Sequence, residues 1–274
     1  MSRSVFALGR HAFLLLLCLF AVAPLLWALG TAFKPQTEVY TNRGLLPHDP
    51  TLQNFIYVLG QTKFGHWFWN TILIATATTV LSLAIAILAG YALSRYRFWG
   101  WGIYGNTLLL VQMFPGVMLA IPLFLIFTKL ALVDTLWSLL ITYMTFALAF
   151  SVWMLKGYFD GIPREIEEAA LIDGASRMGV LWRIVLPLSG PGISTVAVFA
   201  FLLAWNEFFF AYIFLVSDKN YTLQMGLYTF INQFFTRWEY LMTASVLTTL
   251  PVLIFFFAMQ RYLTRGLIAG ATKG

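Results

Sequence analysis

Six apolar runs, each near the ~20 residues a helix needs to cross a bilayer's hydrocarbon core, constrain this chain more than any other feature. They lie at 12–33, 70–93, 103–127, 137–155, 192–216 and 241–262. Hydrocarbon offers no partner to an open backbone N–H or C=O, so each run must close its hydrogen bonds internally, as a helix. Composition agrees: 60% of the 274 residues are hydrophobic and 10% are charged. Soluble domains lie nearer half apolar and a quarter charged. The expected class is an all-α polytopic membrane protein with one transmembrane domain over residues 1–274. The first run follows Arg3 and Arg10 and could pass for a signal peptide. Its apolar character continues past Pro24 to Phe33, beyond the roughly 7–15 residues of a signal's apolar region. It reads as a retained span.

Charge sets the orientation. With the N-terminus in the cytoplasm, eleven Lys and Arg fall inside and six outside. The positive-inside rule then places both termini in the cytoplasm. The net charge of +6 is scattered between apolar runs, so it reads as a topology signal and not as a nucleic-acid surface. The longest cytoplasmic segment is 156–191. The longest outer segment is 34–68, where Pro47 and Pro50 suggest turns. A short tail, 263–274, follows the last run.

Several functions find no support. No G-x-x-x-x-G-K-[ST] phosphate loop is present, so the chain has no visible means of hydrolysing ATP. His11, His48 and His66 are dispersed, and the single cysteine, Cys18, sits in an apolar run, so no metal cluster or internal disulfide is indicated. No internal repeat supports a repeat-built secondary transporter. An intramembrane enzyme would need converging acid, base or nucleophile groups, and Glu207 is the only carboxylate within the six runs.

The cytoplasmic segment is anomalous. Five of the eleven acids, Asp160, Glu165, Glu167, Glu168 and Asp173, lie close together there. Pro163 suits a helix's first turn. The acids that follow meet the positive end of the helix dipole. Asp173-Gly174 then breaks the helix. A second helix is expected over 175–185, ending before Pro187. Ile166, Ala169, Ala170 and Ile172 give the first helix a partly apolar face. Ala169 and Ala170 allow close approach of another backbone, and Glu168 offers an anion to a partner's Arg. Composition alone leaves two readings open, a solvated loop or a docking helix.

Spacing adds a resemblance. Glu168-Ala169-Ala170, three residues, Gly174, nine residues, then Ile184-Val185-Leu186-Pro187 resembles the EAA signature of ABC-importer permeases, E-A-A, three residues, G, nine residues, I-x-L-P. "KGYFDGIPREIEEAALIDGAS", "WNEF" at 205–208, "FKPQTEVY", "TLQNF" and "QRYLTRGLIAGATKG" are similar to segments of the carbohydrate (maltose-type) permeases. The resemblance covers nearly the whole chain. It implies the six-span type I importer permease fold with a cytoplasmic coupling helix. It implies a second permease subunit, two ATP-binding subunits that hold ATP and Mg, and an extracytoplasmic sugar-binding protein. The substrate would be a sugar, maltose or maltodextrin or another oligosaccharide. The setting would be a bacterial or archaeal plasma membrane. No cofactor, metal or nucleic acid is implied for this chain. Carried onto these residues, the coupling positions are Glu168, Ala169, Ala170 and Gly174, flanked by Arg164, Glu165 and Asp173. Gly270, Lys273 and Gly274 are candidates for a tail contact with the ATPase.

Polar groups inside spans are functional candidates by default, because placing a charge at a helix centre costs about 2.5–3.5 kcal/mol on insertion scales. Glu207 must therefore face a partner helix or a watery cavity. Trp205, Asn206 and Glu207 form one candidate for the translocation path, and Gln112 and Met113 another. Helix packing suits the rings around Glu207 better, whereas Asn206 and Glu207 suit path lining or gating. Pro115 and Pro122 are expected to bend the third span. The resemblance assigns much of the sugar contact to the partner permease.

Overall fold

The computed structural model describes residues 2–97, 99–231 and 235–271. They form helices α1 (Ser2–Ala32), α2 (Gln36–Thr41), α3 (Gln53–Gln61), α4 (Phe64–Arg95), α5 (Trp101–Met113), α6 (Ala120–Lys129), α7 (Leu136–Asp160), α8 (Arg164–Ile172), α9 (Arg177–Val180), α10 (Leu186–Leu188), α11 (Gly190–Asn206), α12 (Phe209–Phe214), α13 (Leu223–Tyr228) and α14 (Trp238–Ala271). Among the described residues the only β pairing is an isolated bridge between Ile231 and Thr236.

Among the described residues four helical stretches are long and apolar enough to cross a membrane, Gly9–Ala32, Phe64–Arg95, Leu136–Asp160 and Trp238–Ala258, and the bent pair Arg177–Leu188 and Gly190–Asn206 is so when taken together. The four single helices match four of the six expected runs. The other two are broken. The run at 103–127 is not one bent helix. It is α5, a 3₁₀ turn at Gly116–Leu119, and α6. Pro115 has no N–H to donate and pushes Phe114 away from helical geometry. Pro122 falls in the first turn of α6, where the missing N–H costs nothing. The run at 192–216 divides into α11 and α12 around Glu207, whose ψ of 124° is extended. Two boundaries also differ from expectation. Helix α7 continues to Asp160, so the polar segment expected from 156 begins at Gly161. The expected tail at 263–274 is helical as far as Ala271.

Packing divides the chain into two units, Met1–His66 with Met225–Pro251, and Trp67–Gln224 with Val252–Gly274. In the first unit, the segment after α1 is bound together by polar side chains, with bends around Pro47. Lys34 is buried, and its Nζ donates to the carbonyls of Asn42 at 2.9 Å and Gly44 at 2.5 Å. Asn54 donates to the carbonyls of Ala32 at 2.9 Å and Lys34 at 2.8 Å. Glu38 accepts from the Asn42 amide at 2.6 Å and the His48 N–H at 2.6 Å. The Asn54 bond to Ala32 closes a carbonyl at the end of α1 that no helix partner reaches, and the others tie down the loop beyond it.

In the second unit α4, α7 and α11 pack closely through small residues. A Cβ on Gly90 would sit 3.2 Å from the Leu155 Cβ, and one on Gly192 would sit 2.4 Å from the Tyr158 ring. Lipid supplies no hydrophobic drive between helices, so close backbone approach is what holds them. At one end of the unit Asp134 joins two loops. Its carboxylate accepts from the N–H groups of Val216 at 2.9 Å and Ser217 at 2.8 Å, and from the Ser217 hydroxyl. At the other end Ala86, Tyr91, Val152, Leu155, Phe159 and Val180 belong to one apolar cluster, against which Ile162, Ala170 and Ala175 of the acidic segment rest.

Candidate functional site

The acidic segment folds into a short helix, a glycine bend and a second, irregular helix. Pro163, with φ −56° and ψ 133°, precedes α8, and Glu165 and Glu167 occupy its first turn. Helix α8 ends in a Schellman arrangement: Ala175 N–H donates to Ala170 C=O at 3.0 Å, and Gly174 N–H to Leu171 C=O at 3.1 Å. That closure needs a left-handed residue, and Gly174 has φ +87°. A side chain there would strain the backbone. Ser176 then caps α9, its hydroxyl accepting the Gly179 N–H at 3.1 Å. The chain continues through a π-helical stretch, Leu181–Val185, into α10. Pro187 therefore does not stop the second helix. It sits in the first turn of α10, where it is tolerated, and the chain bends by 79° between Arg177–Leu188 and Gly190–Asn206.

The two faces of α8 are unlike. Glu167, 6% exposed, points back into the unit. Its Oε1 lies 2.6 Å from Arg95 Nη2 and 2.7 Å from Nε, and its Oε2 accepts from the Tyr91 hydroxyl at 2.8 Å. Both ion-pair side chains are 8% exposed. Arg95 also donates to the carbonyls of Phe159 at 2.8 Å and Ile162 at 3.2 Å, and to the Ser94 hydroxyl at 2.8 Å. The Ser94 hydroxyl in turn donates to Asp160 at 2.6 Å. A planar guanidinium with several donors is the group that can serve so many acceptors at once.

The opposite face holds the expected coupling residues. Glu165, Glu168, Ala169 and Asp173 are exposed, and Ile172 is 86% exposed. Ala170 is half-buried, because it rests on the apolar cluster. Arg164 is turned partly inward, its guanidinium donating to Ser94 C=O at 3.2 Å. Sequence reading assigned the segment's role to Glu168 and gave none to Glu167, Arg95 or Tyr91. Glu167 and Ala170 are three apart and share a face, whereas Glu168 lies about 100° round the helix, but only the packing shows which face turns inward.

The path candidates separate. Glu207 places its carboxylate at the start of α12, accepting the N–H groups of Phe210 at 2.9 Å and Ala211 at 3.3 Å. The Tyr143 hydroxyl of α7 donates to it at 2.5 Å. The compensation that lipid demands for this carboxylate comes from a phenol and backbone N–H groups of its own chain. Trp205, 1% exposed, is enclosed by Phe68 and Phe201 and meets no passing solute from there. Asn206 is exposed, its amide donating to Leu202 C=O at 2.9 Å. Gln112 and Met113 are also exposed at the end of α5, and the Gln112 amide donates to Phe146 C=O at 2.9 Å. Gly270 belongs to α14, while Lys273 and Gly274 lie outside the described residues.

Comparison with known proteins accounts for this arrangement. Residues 82–269 match the family described as binding-protein-dependent transport system inner membrane component. The chain is 38% identical to the inner membrane ABC transporter permease protein YcjP of Escherichia coli (strain K12), over 100% of this chain and 99% of that protein. It is 35% identical to the trehalose/maltose transport system permease protein MalG of Thermococcus litoralis, over 94% of this chain and 93% of that protein. It is 35% identical to the arabinooligosaccharides transport system permease protein AraQ of Halalkalibacterium halodurans, over 93% and 92%. Among solved structures, a bacterial ABC transporter involved in the import of the acidic polysaccharide alginate matches with a TM-score of 0.83 at 26% identity, covering 96% of this chain and 98% of that one. The apolar helices and these matches agree: the chain belongs to the inner-membrane components of binding-protein-dependent transport systems, as a multi-pass permease subunit of an ABC importer.

Proposed function

We propose that this permease carries a sugar of the oligosaccharide class, maltose- or maltodextrin-like. Relatives named for trehalose/maltose, maltodextrin and arabinooligosaccharides support that class. The chain forms half of a translocation path with a second permease subunit. A sugar-binding protein delivers substrate from outside. Two ATP-binding subunits hold ATP and Mg, hydrolyse the nucleotide and drive the cycle. The chain itself is not an enzyme. The broken segments α5–α6 and α11–α12 complete six crossings, with both termini in the cytoplasm, as the bias of basic residues favours. Asn206 and Gln112, exposed near helix breaks, are the polar candidates for the path.

One observation carries the coupling assignment: α8 is held by one face and offers Glu168, Ala169 and Ile172 on the other. Glu168 pairs with a basic residue of the ATP-binding subunit, and the exposed Ala169 lets the two backbones approach, while Ala170 packs on the chain's own apolar cluster. The test is Glu168→Lys and Ala169→Trp in the assembled transporter. The first reverses the charge presented to the partner, and the second adds bulk beside the contact. The expected result is ATP hydrolysis uncoupled from sugar transport, or loss of the ATP-binding subunits, with membrane insertion preserved. Normal transport and normal ATPase stimulation in both variants would remove the assignment.

A further inference from the structure

We infer that the buried Arg95–Glu167 ion pair is the joint that transmits displacement of α8 to the membrane-crossing helix α4. Arg95 and Glu167 are positioning residues for coupling, distinct from the exposed Glu168. The inference rests on the proposed coupling role of α8.

Attachment of α8 on this side is narrow and polar. The helix has nine residues and a strongly acidic composition, so it buries little apolar surface of its own. Its inward acid, Glu167, is bonded through both oxygens to Tyr91 and Arg95, one turn apart on the last turns of α4. The same guanidinium holds the Phe159 and Ile162 carbonyls where α7 runs out. Cations suit that position, because the last carbonyls of a helix carry its negative dipole end. One side chain thus ties the inner ends of two spans to the docking helix. Arg164 adds a bond to Ser94, and Arg177 one to the Tyr96 hydroxyl at 3.0 Å, so the neighbouring turns are drawn to the same end of α4. Arg95 Nε and Nη2 both meet Oε1 while the Tyr91 hydroxyl holds Oε2, so the carboxylate is fixed in direction as well as distance. A push on the exposed face therefore moves α8 and the end of α4 together. With the pair broken, α8 could yield to the partner without carrying the span along.

The predicted phenotype is a changed ratio and not a lost complex. Glu167→Gln and Arg95→Gln are compared singly and together in the full transporter, reconstituted in vesicles. Three quantities are read: co-purification of the ATP-binding subunits, ATP hydrolysis, and sugar accumulated per ATP. Each single variant is expected to lose about tenfold in sugar per ATP, because each leaves a buried charge without its partner. The double variant should lose no more than the worse single one, since its partners act as a unit. A purely structural role would lower hydrolysis and transport together and leave their ratio unchanged. Should the glutamine variants fail to assemble, Arg95→Lys and Tyr91→Phe carry the test. The first keeps the charge without the planar fork, and the second removes one hydroxyl. Either one losing about threefold in the ratio supports the joint. Wild-type ratios in both, or in both glutamine singles, overturn it, as do single losses that simply multiply in the double variant. If Glu168→Lys is uncoupled while these ratios stay normal, the joint fails and the docking reading stands. If Glu168→Lys and Ala169→Trp are also normal, the docking reading itself has failed.

Discussion

Removing the Glu207 carboxylate should loosen a helix break and not merely alter a polar surface. The residue ends α11 with extended backbone, and its side chain then binds N–H groups in the first turn of α12. Loss of such a capping acceptor typically costs about 0.5–2 kcal/mol. Glu207→Ala also strands the Tyr143 hydroxyl, which is 1% exposed and donates to Glu207 at 2.5 Å. An unsatisfied buried polar group costs about 1–3 kcal/mol. Together the expected loss for Glu207→Ala is about 2–4 kcal/mol. Tyr143→Phe removes the hydroxyl and leaves the cap, so about 1–2 kcal/mol is expected. In the double variant no hydroxyl remains to be stranded. Its loss should therefore fall short of the sum of the singles by about 1 kcal/mol or more. Glu207→Gln keeps an acceptor oxygen and should lie between wild type and Glu207→Ala. The assay is denaturant unfolding of the purified complex in detergent, with transport measured in parallel. Asn206→Ala is the control, since its exposed amide bonds only one turn back; transport should change there without a change in stability. Wild-type stability in Glu207→Ala, or losses that add to within about 0.5 kcal/mol, would refute the lock.

Two further predictions follow from charge. Burial works against the Asp134 carboxylate, but the Ser217 hydroxyl and the Ser217 and Val216 N–H groups outweigh it and hold its pKa at about 2, below the usual 3.8. A depressed folded value gives stability that is full above the unfolded pKa and lost as pH falls through the folded one. Partial exposure discounts it to about 1–2 kcal/mol, so thermal unfolding should show that loss between about pH 4 and pH 2 in wild type and none in Asp134→Asn. An unchanged pH profile in Asp134→Asn would count against the latch. Orientation is tested by cysteine probes in intact cells: a membrane-impermeant reagent should reach a probe at Asp49 and miss one at Ser2, and the reverse pattern would reject a cytoplasmic N-terminus.

The apolar runs alone determine that this chain crosses a membrane as helices, because hydrocarbon leaves the backbone no other way to close its hydrogen bonds. The sequence also locates the acidic helix–bend–helix segment. Glu168-Ala169-Ala170 and Gly174 are local features, and the helix, the bend and the exposed acid follow from neighbours within a few residues. Tertiary structure decides what depends on distant partners. Pro115 and Glu207 sit in runs that look continuous by hydropathy, and whether such a run bends or breaks depends on what receives the freed backbone groups. For the N–H groups of α12 the acceptor is the Glu207 carboxylate, held in turn by Tyr143, 64 positions away in the sequence. The inward acid was equally hidden. Glu167 and Glu168 are adjacent and chemically identical, and only the Arg95 and Tyr91 of another helix distinguish them. A buried carboxylate survives only where charge or hydrogen-bond partners meet it, and the packing of α4, α7 and α8 supplies a cation and a hydroxyl at one of those two positions.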